Sequence, residues 1–179
     1  MPKNDVTVWI ADSNELYVHF DIRHLVFVNE QGALVLTDID EWDNHPRVAH
    51  LLASSGQSYA GTVRMYPLDD TGRWKGDRLA VLAQHRKSIV GTQLVRFATV
   101  YAAKQGGRVM EAIVQLNNVR FFERLGWYTE GDIYPYLGLP HQPMLYDLTK
   151  TPALDWGNHP SPMIFDYTVQ SGSAILCPA

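Results

Sequence analysis

Hydrophobic and polar residues alternate at the beginning of the chain. Between residues 6 and 10, valine and isoleucine occupy every second position, a period of two that is typical of a β-strand. Between residues 18 and 26 the apolar residues recur at helical spacing, and Asp12 or Ser13 can cap this helix. The pattern therefore predicts a strand, then a helix, and then a polar, turn-rich loop over residues 29–45.

Two strands are predicted next, over residues 48–53 and 59–66. The segment between them, residues 54–58, is rich in serine and glycine, which favours an antiparallel hairpin. A second turn over residues 67–72 leads to a strand around residues 78–82.

The most regular helical pattern begins at Val90. Apolar residues follow at helical spacing as far as Tyr101, and Gly106 and Gly107 provide a stop. A strand over residues 109–114, a short helix over 118–125 and a strand near 144–148 complete the predicted elements.

The composition changes near residue 150. Residues 1–150 are predicted to form one domain, since 179 residues with 46% hydrophobic content suit a single core. Residues 151–179 contain prolines at 152, 160 and 162 and two short apolar runs. We expect them to form a C-terminal extension that packs on the domain or on a second subunit.

Charge and cysteine content narrow the possible functions. The net charge of −4 and a pI near 5.9 argue against nucleic acid as a partner. The single cysteine, Cys177, permits neither an intramolecular disulfide nor a cysteine-based zinc site. No apolar run resembles a signal peptide or a membrane span. We therefore expect a cytoplasmic protein with no membrane partner.

A basic turn precedes the helix that begins at Val90. Backbone N–H groups at such a turn and in the first helical turn converge on an anion, and Arg86 and Lys87 add positive charge. These features favour a diphosphate site. Its candidate ligands are Arg86, Lys87, Ser88, Ile89, Val90, Gly91 and Thr92.

This segment resembles the signature of the GNAT superfamily of acyl-coenzyme A-dependent N-acyltransferases, in which Arg or Gln is followed by two spaced glycines. Arg86, Ile89 and Gly91 occupy those positions, so that Ile89 replaces the first glycine. Residues 61–65 and 78–81 are similar to the family's third and fourth strands, and residues 121–127 to its "FYERLGF"-like segment. The resemblance spans residues 6–148 and implies an α/β (α+β) fold with a mixed, mainly antiparallel central sheet flanked by helices.

Further motifs resemble one branch of that superfamily. The helix over residues 23–31 is similar to an "R-x-x-V-F-V-x-E-Q" motif, residues 40–43 to a "D-x-x-D" turn, and residues 140–144 to a "P-H-x-x-M" run. These likenesses point to the nitrogen-starvation-associated GNAT proteins, a group that also resembles the acyl-homoserine lactone synthases.

The resemblance implies that acetyl-coenzyme A donates an acetyl group directly to the amine of a small-molecule acceptor. Val81 and Ala83 would contact the pantetheine and the carbonyl, and Asn118 would contact the coenzyme. The family's usual tyrosine acid is replaced by Phe122, for which plain helix packing is the simplest explanation.

The base and the acid have several candidates. Glu30, Glu111 and His141 are the candidate bases. Tyr134, Tyr136 or His141 is the candidate acid, unless the thiolate leaves without specific protonation. Burial in an apolar strand would raise the pKa of Glu111, although this residue could instead face solvent or form an ion pair with Arg64 or Arg108.

Two other functions stay open. A lactone synthase that uses S-adenosylmethionine would draw on Arg23, Phe27, Trp42, Asp43 and Arg64. A non-catalytic coenzyme-binding protein is suggested by Ile89 and Phe122. The acidic residues of segment 38–43 are expected to form a solvated loop, although they could instead attract a cationic acceptor to the mouth of the cleft. No metal site is predicted, and a homodimer is possible.

Overall fold

The computed structural model describes residues 5–152, so the predicted extension beyond residue 152 lies outside the described residues. Within these residues there are three α-helices: α1 (Leu16–Arg23), α2 (Val90–Lys104) and α3 (Val119–Arg124). A π-helical segment, His24–Glu30, continues α1. The strands are β1 (Val6–Ile10), β2 (Ala49–Ser55), β3 (Ser58–Pro67), β4 (Arg73–Val81), β5 (Val109–Gln115), β6 (Tyr128–Thr129), β7 (Tyr134–Tyr136) and β8 (Leu139–Asp147).

The strands form one sheet in the order β1-β2-β3-β4-β5-β8-β6, with β7 paired to β8. Every pair is antiparallel except β4 and β5, which are parallel. The predicted mixed, mainly antiparallel sheet with flanking helices is therefore confirmed, as is the predicted hairpin of β2 and β3.

Both faces of the sheet are covered. On one face, Leu94 and Ala98 of α2 belong to the same buried cluster as Met110 and Ala112 of β5. On the other face, α1 contributes to a smaller cluster around Ile22. Alternation along a strand sends successive side chains to opposite faces, so that both clusters draw on the central strands.

Strands β4 and β5 pair over only three residues each. The pairing runs from Arg73 opposite Val109 to Lys75 opposite Glu111, and the two strands then diverge. At the same level, β4 contains an irregularity: Thr62 pairs with Ala80 and Arg64 with Asp77, so two residues of β4 face one residue of β3.

Arg78 lies in this bulge with φ +52°, a left-handed conformation that costs energy for a residue with a side chain. The bulge and the divergence together open the sheet at its centre.

Helix α2 ends just before the two glycines that predicted its stop. Gly106 has φ +84°, which glycine adopts without strain, and the N–H of Gly107 donates to the carbonyl of Ala102 at 2.8 Å. After Gly107 and Arg108 the chain enters β5 at Val109.

Some elements differ from the sequence prediction. Strand β4 starts at Arg73 and β8 at Leu139, both earlier than expected, and β6 and β7 were not predicted. All of residues 128–140 are exposed, so this segment lacks the alternation of buried and exposed positions that marks a half-buried strand. Between residues 5 and 152, no helix combines the length and the apolar character needed to cross a membrane.

Candidate active site

A cleft opens between β4 and β5 where their pairing ends. Its walls include Ala112 and Val114, which face α2, and also Ile113 and Gln115, which face the other side of the sheet. Because both sets of side chains line it, the cleft passes from one face of the sheet to the other. Residues of α2 lie at one end of it, and Phe27 of the π-helical segment lies at the other.

His141 lies in the wall of this cleft, at the start of β8, and is only 5% exposed. Its Nδ1 lies 2.8 Å from the carbonyl oxygen of Leu139. A carbonyl oxygen only accepts hydrogen bonds, so Nδ1 carries the proton and Nε2 keeps its lone pair in the neutral ring. His141 is therefore oriented as a proton acceptor.

Two tyrosines lie beside His141. Tyr136 lines the cleft, and its ring meets the imidazole of His141 edge to face with 5.3 Å between centroids. Tyr134 is paired with His141 in the ladder of β7 and β8 but does not line the cleft. Burial, and then the neighbouring Tyr136 and Glu111, raise the pKa of Tyr134, which keeps its phenol protonated.

Glu111 forms two ion pairs on the surface of the sheet. Its carboxylate oxygens lie 2.8 Å from Nη2 of Arg73 and 3.3 Å from Nζ of Lys75. These partners differ from Arg64 and Arg108, the ion-pair partners considered from the sequence. Glu111 does not line the cleft.

Glu30, the third candidate base, pairs with a predicted coenzyme ligand. Its carboxylate accepts a hydrogen bond from Nη2 of Arg86, and Nε of Arg86 also donates to the carbonyl of Val81 at 2.9 Å. This contact links the end of the π-helical segment to the basic turn. A diphosphate at the turn would compete with Glu30 for the guanidinium.

The turn before α2 forms although Ile89 replaces a glycine. Ile89 has φ −84°, within the range of any L-residue, and its side chain is exposed. The hydroxyl of Ser88 donates to the carbonyl of His85 at 2.7 Å and accepts from the N–H of Val90 at 3.2 Å. These two hydrogen bonds of Ser88 order the start of α2 without a glycine at position 89.

The predicted coenzyme ligands lie together beside the cleft rather than in its wall, with Asn118 as the exception that lines it. The first-turn N–H groups of Gly91 and Thr92 have no acceptor within the helix. A Cβ on Gly91 would lie 3.5 Å from the ring of Phe121 and 3.7 Å from Val81. The start of α2 thus adjoins α3, and Ala83 and Lys87 are exposed nearby.

Phe122 has the packing role expected from the sequence. It is buried, and its ring contacts Phe121 and Trp127 edge to face, each at 5.3 Å between centroids. It forms part of the main core and of the apolar wall of the cleft.

The acidic segment over residues 38–43 is not a solvated loop, so that prediction was wrong. Asp38 is 3% exposed and Asp43 is 8% exposed, and both accept hydrogen bonds from Arg23 at 2.5 Å. Arg64 contacts Asp43 at 2.9 Å and also binds two further carboxylates, those of Asp40 and Asp77. The arginines come from α1 and β3, far away in the sequence, so local charge density did not reveal the pairing.

Two histidines extend this buried network. Nε2 of His19 accepts from Nη1 of Arg23 at 3.1 Å and from Nδ1 of His50 at 3.0 Å, and Nδ1 of His19 donates to the hydroxyl of Thr62. Burial first, and then Arg23, hold the pKa of His19 well below its usual value. Burial likewise lowers the pKa of His50. Both rings are therefore neutral near pH 7.

His19, His50 and Asp43 bring potential metal-ligand atoms within 4.8 Å of one another. In this arrangement the Nε2 lone pair of His19 already accepts hydrogen bonds, and the guanidinium of Arg23 lies against it. A neighbouring cation disfavours a second cation electrostatically. The cluster is organised as a hydrogen-bonded ionic network.

Comparison with known families identifies the fold and its chemistry. The model of the acetyltransferase (GNAT) family matches residues 15–127, which is more than half of the chain. The chain belongs to the GNAT acetyltransferase family. A Bacillus subtilis (strain 168) relative, the acetyltransferase-like protein BSU40680, is 31% identical over 133 residues, covering 74% of this chain and 89% of the relative.

Solved structures share the GNAT fold. Escherichia coli ElaA superposes with a TM-score of 0.70 at 22% identity, covering 80% of this chain and 99% of ElaA. The coenzyme A-dependent acyl-homoserine lactone synthase BjaI superposes with a TM-score of 0.65 at 19% identity, covering 81% and 83% of the two chains. At these identities the similarity concerns the fold. This chain is therefore an acetyltransferase of the GNAT family, whose members bind an acyl-coenzyme A and an acceptor.

Proposed function

We propose that this protein transfers the acetyl group of acetyl-coenzyme A to the amine of a small-molecule acceptor, and that the reaction takes place in the cleft between β4 and β5. The observation that best supports this proposal is the orientation of His141, whose Nδ1 is bound to a carbonyl while Nε2 remains available as a base. A base at this point in the cleft suits the deprotonation of an attacking ammonium group.

The reaction is a direct transfer. The amine nitrogen attacks the thioester carbonyl, so that a C–N bond forms and the C–S bond breaks, with its electron pair leaving on sulfur. The proton released from nitrogen passes to Nε2 of His141. We assign the protonation of the departing thiolate to the phenol of Tyr136, whose ring contacts that of His141.

The start of α2 is the proposed diphosphate site. Free N–H groups in the first helical turn and the helix dipole favour an anion there, and Lys87 adds charge. Arg86 would join them after exchanging Glu30 for a phosphate oxygen. Val81, Ala83 and Asn118 would contact the coenzyme between this turn and the cleft.

The bulge of β4 supports the polarisation of the carbonyl. A bulge leaves one residue outside the ladder, and Arg78 and Leu79 both line the cleft. Backbone groups freed from strand pairing are suitable donors for an oxyanion.

A lactone-synthase function receives less support from the geometry. Arg23 and Arg64 are completely buried and bound to carboxylates, and Trp42 stacks on Tyr66 at 4.7 Å between centroids. Of the residues suggested for that function, Phe27 lines the cleft. The nitrogen-starvation-associated branch, the cytoplasmic location and the homodimer stay predictions from the sequence.

Thermal-shift titrations with acetyl-coenzyme A, coenzyme A and S-adenosylmethionine test the donor, and thiol release over a panel of amines tests the reaction. We expect stabilisation by both coenzyme forms and thiol release that depends on an amine. Stabilisation without release from any amine would instead favour a coenzyme-binding protein. Stabilisation by S-adenosylmethionine would favour the lactone-synthase alternative.

A further inference from the structure

The charged side chains in the wall of the cleft are all neutralised by neighbours. Lys75 is paired with Glu111, and Asp77 with Arg64. Arg78 contacts Asp40 at 3.0 Å and Asp38 at 3.4 Å. Within residues 5–152, the cleft therefore offers no unpaired carboxylate to a cationic group on a substrate.

The aspartates of segment 38–43 are bound to arginines and are not available to a cationic substrate. Asp38 and Asp43 are buried against Arg23, and Asp40 binds both Arg64 and Arg78. Withdrawing any of them toward a substrate would remove one of the carboxylate partners of a buried guanidinium, which is costly.

The mouth of the cleft on the α1 side has an apolar wall. Phe27 and Leu34 form one side of it, and Leu137 and Leu139 of the β7–β8 hairpin also line the cleft. Both leucines of the hairpin are about two-fifths exposed, at 38% and 40%. Exposed apolar side chains grouped around a concave site are typical of a surface that binds an apolar ligand.

Position in the cleft assigns this mouth to the acceptor. The proposed coenzyme site lies at the start of α2, whereas Phe27 packs against the buried cluster of α1 on the opposite face of the sheet. His141 lies in the wall of the same cleft. An acceptor entering from the α1 side would thus bring its amine toward Nε2 with its body against the leucines.

We propose that the acceptor is a primary amine attached to an apolar body, aromatic or aliphatic, without a second cationic group. This inference rests on the proposed acetyl transfer and identifies its acceptor class. A polyamine or amino sugar would bring a further ammonium group against the apolar wall, where desolvation without a partner disfavours a charge. An alkyl chain at the same place buries apolar surface and gains free energy.

A matched pair of substrates tests this class. Hexylamine and 1,5-diaminopentane have the same chain length, and the second carries an ammonium group in place of the terminal methyl group. With acetyl-coenzyme A and the full-length protein, we expect kcat/KM from thiol release to be at least about tenfold higher for hexylamine.

The outcomes separate this inference from the proposed function. Equal or faster turnover of the diamine would overturn the acceptor class while leaving acetyl transfer intact. Thiol release from neither of these amines, but from another amine of the panel, would also overturn the acceptor class alone. Thiol release from no amine of the panel would overturn the proposed function and this inference together.

A pair of variants tests whether the apolar wall determines the preference. Leu34→Asp places a carboxylate in the wall, whereas Leu36→Asp places it two residues away, where the side chain is 83% exposed and does not line the cleft. We expect Leu34→Asp to shift the ratio of kcat/KM values toward the diamine by about fivefold or more, and Leu36→Asp to leave it unchanged. The same ratio in both variants would contradict the assignment of this wall to the acceptor.

Discussion

His141 is the residue on which the proposed chemistry depends most. In His141→Asn the amide can still donate to the carbonyl of Leu139, but the base at Nε2 is lost. We expect kcat to fall by about 100-fold or more while the affinity for coenzyme A changes little, because general-base catalysis contributes on this scale. Steady-state thiol release and calorimetric titration measure the two quantities.

The pH profile supplies the control for this variant. A general base acts only when it is unprotonated, so removing it should change the acidic limb of the profile of kcat/KM against pH. An identical profile in both proteins would show that His141 is not the base.

Glu30 and Arg86 illustrate competition between an intramolecular ion pair and a ligand. In Glu30→Gln the guanidinium of Arg86 is no longer held by a carboxylate, so we expect coenzyme A to bind up to about fivefold more tightly, the scale of a half-exposed ion pair. Arg86→Ala should weaken binding. Calorimetric titration of both variants measures the effect, and weaker binding in Glu30→Gln would contradict the proposed role of Arg86.

Asp43 is the carboxylate shared by the two completely buried arginines. In Asp43→Asn, Arg23 and Arg64 lose a common negative partner, and we expect the free energy of unfolding to fall by about 3 kcal/mol. Urea unfolding measures this loss. The control is Asp70→Asn, since Asp70 is fully exposed and lies 3.7 Å from Arg47; it should leave the urea midpoint unchanged.

At the scale of the elements, the junction between α2 and β5 depends on close packing at Gly107. A Cβ there would lie 2.6 Å from the carbonyl oxygen of Ala102 and 2.7 and 2.9 Å from side-chain atoms of Leu148 and Trp74. Gly107→Ala should lower the free energy of unfolding by about 2 kcal/mol, because the backbone oxygen cannot move aside cheaply. The comparison is Gly131→Ala. A Cβ there would have no atom within 4 Å, so this variant carries only the backbone strain of a side chain at φ +76°.

Thermal or chemical unfolding of the two glycine variants separates these contributions. A loss in Gly107→Ala no larger than in Gly131→Ala would contradict the packing argument.

Elements with a strong local pattern were predictable, and those that depend on distant partners were not. Helix α2 shows regular apolar spacing and is followed by Gly106 and Gly107, and strand β5 is a short, mainly apolar run, so their limits followed closely from the sequence. The exposed strand β7 has no such alternation. It matters for the site because it places Tyr136 against His141.

The site itself was only partly visible in the sequence. His141 and Asn118 were identified through family resemblance, and both line the cleft. The apolar wall at Leu34 was not identified, because a leucine in a loop has no local signal until the fold places it opposite a strand. The ion pair of Glu30 with Arg86 was missed, since the two residues are 56 positions apart. Glu111 pairs with Arg73, 38 residues away, rather than with the Arg64 or Arg108 considered from the sequence.

At the scale of the whole molecule, the buried histidines make stability depend on pH. His19 and His50 have lowered pKa values in the folded protein, so the unfolded chain binds more protons at acidic pH. Their contribution is complete above the unfolded value of about 6.5 and decreases as the pH falls below it. We expect the free energy of unfolding to drop by roughly 2 kcal/mol between about pH 7.5 and about pH 5.

Urea unfolding across this range measures the slope. The carboxylates Asp40 and Asp43 also have lowered pKa values, but their effect belongs to more acidic solutions, below about pH 4. His50→Asn keeps a donor toward His19 while removing one titrating group, so its slope should be smaller. A wild-type slope of zero would contradict the neutral state of both rings.

The central claim is that the cleft between β4 and β5 joins an acetyl group to an amine. Its most direct test is mass spectrometry of the products formed from isotopically labelled acetyl-coenzyme A and hexylamine. The account predicts labelled N-acetylhexylamine in an amount equal to the coenzyme A released, with formation strongly reduced in His141→Asn. Coenzyme A released together with free acetate, or no labelled amide at all, would contradict it.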